Sequence, residues 1–148
     1  MMRAWRGRPR GFTLVEVLIV VTILGILVTI GGTSIARQIA RDRVIRASTV
    51  VEGMLVEATQ LAVRRRVPMS ITAQGSTLQI RDRATGTVVK SRGFGAGSDL
   101  NATLTLSPAT GVTIFPNGRA NAALTVTLAG EGLQLVVGRS ATGIVRRQ

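Results

Sequence analysis

The sequence offers few side chains that can carry out a reaction. It has no cysteine and no histidine, which excludes thiol catalysis, disulfides and zinc fingers, and removes the most frequent general base and metal ligand. The 7 carboxylates are scattered over 148 residues, and Lys90 is the only lysine. No spacing among these groups resembles a catalytic site or a calcium loop. We therefore expect neither an enzyme nor a bound cofactor or metal.

Arginine is the one abundant chemical group. Lys and Arg number 19 against 7 Asp and Glu, which gives a formal net charge of +12. A guanidinium binds phosphate through two parallel hydrogen bonds, and Arg139, Arg146 and Arg147 cluster near the C-terminus. These three arginines form a candidate DNA-binding group on the predicted surface. A solvated basic surface explains the same residues more simply and is the favoured interpretation.

A single carboxylate, Glu16, interrupts an otherwise apolar run. Residues 12–30 read FTLVEVLIVVTILGILVTI, and as a helix they would be about 29 Å long, close to the thickness of a bilayer core. A carboxylate in such a span costs roughly 2.5–3.5 kcal/mol, so it marks a functional position that needs a partner. A cut after Gly11 would place the new α-ammonium of Phe12 four residues before Glu16, on the same helical face.

An ordinary signal peptide is the first alternative for this region, because residues 1–11 are basic and an apolar run follows them. The run is longer than a usual signal core and no A-x-A-like cleavage site follows it, so a single-span anchor fits better. The positive-inside rule does not orient the span, because four arginines flank each side. They are Arg3, Arg6, Arg8 and Arg10 before it, and Arg37, Arg41, Arg43 and Arg46 after it.

Residues 10–16, RGFTLVE, and the apolar residues after them resemble the prepilin leader motif of type IV pilins and type II secretion pseudopilins. The resemblance implies that a prepilin peptidase cuts between Gly11 and Phe12 and that the new Phe12 nitrogen is methylated. It implies that Glu16 guides assembly with other subunits on an inner-membrane platform. It also implies a single-pass inner-membrane protein with a cytoplasmic leader and a periplasmic C-terminal domain, assembled in a pilus or pseudopilus.

The apolar pattern predicts that the helix continues beyond the membrane. No proline occurs between Pro9 and Pro68, and three arginines at 64–66 complement the negative end of the helix dipole. We predict one helix over residues 12–66, transmembrane over 12–30, whose second half packs an apolar stripe on the protein's own sheet. The stripe comprises Val44, Ala47, Val51, Met54, Leu55, Ala58, Leu61 and Ala62.

From residue 67 to residue 148 the period changes to two, which indicates β-structure. Seven or eight short strands would form two small antiparallel sheets, or one sheet with a curled extension. Asn117-Gly118 predicts a two-residue hairpin turn, and the glycine-rich segment 92–99 predicts a flexible connection. The expected fold class is α+β, with a leader at 1–11, a long helix at 12–66 and a β-rich domain at 67–148.

The second half resembles the GspH/FimT family of minor pilin-like proteins, through GVTIFPNGR at 111–119, LTVTL at 124–128, LVVG at 135–138 and TGIVR at 142–146. The resemblance implies a minor subunit of a type II secretion pseudopilus or type IV pilus that supports protein secretion. The alternative it implies is a FimT-like minor pilin that binds DNA for uptake in natural transformation. The family's DNA segment is glycine-arginine-x-arginine; this chain keeps Gly143, Arg146 and Arg147 but has Ile144 at the first arginine position.

Overall fold

The computed structural model describes residues 12–130 and 132–147, which form an α+β fold. The predicted leader, residues 1–11, lies outside the described residues. The described part contains one α-helix and eight strands. They are α1 (Leu14–Arg65), β1 (Met69–Gln74), β2 (Thr77–Asp82), β3 (Val88–Gly93), β4 (Thr103–Ser107), β5 (Val112–Ile114), β6 (Leu124–Gly130), β7 (Leu133–Arg139) and β8 (Val145–Arg147).

Local sequence explains both ends of α1. The amide of Glu16 donates to Thr13 Oγ1 at 3.2 Å, so Thr13 is the N-cap of a Thr-x-x-Glu sequence with capping-box spacing. At the other end Arg66 adopts a left-handed φ of 56° and Pro68 prevents further helix. The predicted bounds, 12 and 66, are confirmed to within two residues.

The described residues divide into two compact units, 12–36 and 37–147. Apart from Phe12 and Thr13, the first unit consists of helix, and all of its described side chains are exposed. Among the residues with described placement, no helix combines the length and the apolarity that a membrane crossing requires. The transmembrane character of residues 12–30 is thus not shown by the structure and stays a prediction.

The second unit contains two four-stranded antiparallel sheets, which confirms the first of the two predicted arrangements. One sheet has the strand order β3-β2-β1-β5 and the other has the order β4-β6-β7-β8. Both sheets share one apolar core with the second half of α1. Seven of the eight predicted stripe residues are buried and Leu61 is half-buried, so the predicted packing of the stripe is confirmed.

The Asn117-Gly118 turn forms, but it does not join two strands of one sheet. Gly118 has a φ of 78° and its amide donates to Phe115 O at 2.9 Å. A short hairpin surrounds this turn: the amide of Phe115 donates to Arg119 O at 2.8 Å and the amide of Asn121 donates to Thr113 O at 3.0 Å, on either side of an antiparallel bridge between Ile114 and Ala120. The predicted hairpin turn is therefore confirmed, but its loop comprises residues 116–118 and is one residue longer than predicted. The second arm stays short, because the chain after it enters β6, which pairs with β4 and β7 in the other sheet.

Candidate functional sites at the helix start and the C-terminus

The residues of the predicted processing site lie at the start of α1. Phe12 is 83% exposed and precedes the N-cap Thr13, whereas Gly11 lies outside the described residues. Glu16 is exposed one helical turn further on, and its carboxylate has no hydrogen-bond or ion-pair partner among the described residues. The Thr-x-x-Glu spacing of Thr13 and Glu16 is by itself a sufficient sequence signal for this cap.

The first unit presents an apolar surface around the whole helix. Every large hydrophobic side chain described between Phe12 and Val28 is 51–83% exposed. A helix that is apolar on all sides is stable only when lipid or other helices cover it, and a surface of this size marks an interaction site. Glu16 is the only charged group on it, so any covering partner must accommodate a carboxylate one turn from the helix start.

Arg139, a candidate DNA contact, is a buried residue of the core. Its side chain is 1% exposed. Nη2 donates to Gly118 O at 2.8 Å and to Thr59 Oγ1 at 3.3 Å, while Nη1 donates to Ser140 O at 3.3 Å. The prediction that Arg139 lies on the surface is therefore wrong. Arg139 joins α1, the end of β7 and the turn that follows β5.

The surroundings of Arg139 make the burial of its charge costly and also provide the hydrogen bonds that offset this cost. Desolvation by burial lowers the pKa of the Arg139 guanidinium below its ordinary value. No carboxylate among the described residues forms an ion pair with it, and its Nε is buried without a hydrogen-bond partner. An unpaired buried cation is expensive, so the three hydrogen bonds must offset that cost. Gly143 has a φ of 102° and a Cβ there would lie 3.2 Å from Gly118 O, so glycine lets the loop 140–144 pack closely beside the carbonyl that accepts from Arg139.

The alternation of side chains along β7 is the sequence signal that indicates the buried position of Arg139. Side chains two residues apart share a face of a strand, and β7 places Leu133, Leu135, Val137 and Arg139 on the same face. The apolar residues of the sequence predict a strand over 133–137 only, and Arg139 falls outside it.

The other two candidate arginines point to different places. Arg147 donates from Nη1 to the buried Ser48 at 3.2 Å, and its Nε lies 3.7 Å from a Glu52 carboxylate oxygen. Arg146, the residue before it in β8, is exposed and faces a shallow depression next to Gly138. The structure thus does not bring the three arginines together on one surface, and of the three only Arg146 is left without a described protein partner.

The comparisons with known proteins agree with both halves of the sequence interpretation. The pattern described as the prokaryotic N-terminal methylation motif matches residues 6–32. A search of curated proteins found no match.

Among solved structures, the type IV minor pilin FimU of Pseudomonas aeruginosa (strain PAO1) is similar, with a TM-score of 0.60 and 24% identity over 73% of this chain and 90% of that one. The minor pseudopilin EpsH from the type 2 secretion system of Vibrio cholerae is similar too, with a TM-score of 0.58 and 12% identity over 72% and 96%. At these identities the structures show the fold alone. The fold and the motif together confirm the predicted resemblance to pilin-like minor subunits.

Proposed function

We propose that this chain is a minor subunit of a type II secretion pseudopilus or a type IV pilus, and that it supports protein secretion. The observation that carries the proposal is the apolar, exposed helix surface over residues 12–28, with Glu16 as its only charge. A filament of packed helices supplies the cover that this surface needs. The methylation motif over residues 6–32 supports the same proposal.

Processing prepares this surface for assembly. A prepilin peptidase cuts between Gly11 and Phe12, and the freed Phe12 nitrogen is then methylated. The new ammonium lies one turn from Glu16, in the same subunit or in a neighbour packed alongside it, and neutralises the carboxylate. Residues 12–30 anchor the chain in the inner membrane with the second unit in the periplasm until the assembly platform draws the subunit into the filament. In this role the second unit is structural and not enzymatic.

Replacing Gly11 by valine tests the processing step. The peptidase requires close approach of the backbone at the cut, so Gly11→Val should leave the leader attached, as mass spectrometry of the intact protein would show. Gly7→Val is the matched control, because it adds the same side chain within the leader but away from the junction, and it should be cut normally. A processed Gly11→Val protein would contradict the assignment.

DNA binding for natural transformation is the second candidate function. It is supported by the formal charge of +8 that remains when the four arginines of the leader are removed, 15 Lys and Arg against 7 Asp and Glu, and by the exposed Arg146. It is weakened because Arg139 is buried in the core and Arg147 contacts α1. Deleting the chromosomal copy and assaying secretion, piliation and transformation in parallel separates the two functions. Loss of secretion alone supports the first, and loss of transformation alone supports the second.

A further inference from the structure

The end of the second unit at which α1 stops carries five exposed arginines. We call this cluster the basic pole; it comprises Arg64, Arg65, Arg66, Arg83 and Arg119. Three of them are consecutive at the C-terminus of the helix, and the other two lie in turns of the first sheet. None of the five belongs to the C-terminal group that the sequence suggested for DNA.

Backbone contacts bring these separate segments to one place. The amide of Arg83 donates to Pro68 O at 2.9 Å, just after the helix ends. Met69 is in register with Ile114, and the following residue, Phe115, donates its amide to Arg119 O at 2.8 Å. The helix end, the turn after β2 and the turn after β5 therefore lie at the same end of the strands of the first sheet.

The pole has almost no charge compensation among the described carboxylates. Glu57 pairs with Lys90, Asp99 with Arg92, and Glu52 with Arg147. Asp82 is next to Arg83 and places one negative charge beside the pole, but its Oδ1 accepts the amides of Ala84 and Thr85 and it forms no ion pair with a described arginine. Asp42 precedes Arg64 by 22 residues, which is about 33 Å of helix and well beyond a Debye length of about 8 Å.

We propose that the basic pole binds a strand of nucleic acid through its phosphates. Guanidinium groups suit this ligand because each binds phosphate with two hydrogen bonds, and a row of cations along one end of the sheet matches the repeated charges of a polyanion. Phe115, which is 41% exposed, lies in the same turn as Arg119 and offers a ring on which a base can stack. The ring favours a nucleic acid strand over an anionic lipid surface. The proposal holds for either filament type.

Salt dependence of binding is the direct test. The full chain in non-ionic detergent is titrated against a fluorescent single-stranded 20-mer between 50 and 300 mM NaCl. Each phosphate contact contributes about −0.7 to the slope of log affinity against log salt for single strands. Replacing three contacts in R64Q/R65Q/R66Q should therefore flatten the slope by about 2 and weaken binding at 50 mM salt by about 100-fold.

A matched control removes the same charge elsewhere on the helix. The exposed residues Arg37, Arg41 and Arg46 are replaced in R37Q/R41Q/R46Q, which should change the slope by less than about 0.7, one contact. Phe115→Ala should weaken binding about tenfold without changing the slope. If the helix triple variant unfolds by circular dichroism, R83Q/R119Q leaves α1 untouched and should flatten the slope by about 1.4.

Four outcomes would overturn the proposal. Three are no binding by the wild-type chain at 50 mM salt, an equal loss in the pole and control triples, and an unchanged slope in the pole variants. A fourth is tight binding to vesicles of phosphatidylglycerol and phosphatidylcholine with no binding to the 20-mer, which would assign the pole to lipid. Normal filament assembly by the pole variants separates this failure from failure of the subunit function.

Discussion

Truncating the buried arginine should destabilise the second unit far more than truncating its exposed neighbour. In Arg139→Ala the unit loses three hydrogen bonds from a charged donor, of which only the 2.8 Å bond to Gly118 O is short. A charge-assisted bond is worth about 1.5–3 kcal/mol and the two longer bonds contribute about 1 kcal/mol together. Removing the unpartnered Nε gives back about 1–3 kcal/mol. The polar terms alone therefore leave a loss of about 1 kcal/mol.

The apolar stem of the side chain adds the larger part. Alanine leaves a cavity where a long, fully buried side chain stood, which costs about 2–3 kcal/mol more. Arg139→Ala should thus lose about 3–4 kcal/mol, whereas Arg139→Met keeps the volume and should lose about 1 kcal/mol. For a unit of this size 1 kcal/mol corresponds to about 4 °C in Tm, so the expected decreases are about 12–16 °C and about 4 °C.

Thermal unfolding of the full chain in detergent, followed by circular dichroism of the β-structure, measures these shifts. Arg146→Ala is the matched control, because Arg146 is exposed on the neighbouring strand and its loss should cost less than about 0.5 kcal/mol. A Tm for Arg139→Ala within about 2 °C of wild type would refute the buried position and return Arg139 to the candidate DNA surface.

Three further changes test other parts of the structure. Gly111→Ala should lower Tm by more than about 10 °C, because Gly111 has a φ of 76° and a Cβ there would lie 1.9 Å from Ile71 O. Gly75→Ala is the control: Gly75 has a φ of 58° with open space around it, so this variant should lose only about 1–2 kcal/mol of stability. In Arg139→Lys, the desolvation that lowers the Arg139 pKa should hold the lysine pKa below its unfolded value of about 10.4. Between the folded and the unfolded pKa of the lysine, the unfolded state binds more protons than the folded state, so the stability of Arg139→Lys rises with pH. The arginine of the wild type stays protonated, so the Tm difference between the two proteins should shrink from pH 7 to pH 10. A Tm difference that stays constant over this range would contradict this. Glu16→Ala should improve membrane insertion but reduce incorporation into sheared filaments, and normal incorporation with normal function would remove Glu16 from assembly.

Features that depend on neighbours in sequence could be predicted. The spacing of apolar residues from Val44 to Ala62 determined the buried face of the helix, because α-helical periodicity is local. The end of the helix followed from Pro68, and most strands followed from alternation between Met69 and Val137. The methylation motif is equally local, since it occupies residues 6–32 alone.

Features that depend on distant residues were decided only by the tertiary structure. Arg139 donates a hydrogen bond to Thr59, which lies 80 positions earlier in the sequence. No local pattern around either residue indicates this bond. Asn117-Gly118 specified a turn, but the pairing of β6 with β4 and β7 decided that this turn joins two sheets. The arginines at 64–66, which in sequence only complement a helix dipole, lie at the same end of the sheet as Arg83, because the amide of Arg83 donates to Pro68 O just after the helix. Local pattern determines which face of an element is apolar, whereas long-range packing determines which charges become buried and which ones gather on a surface.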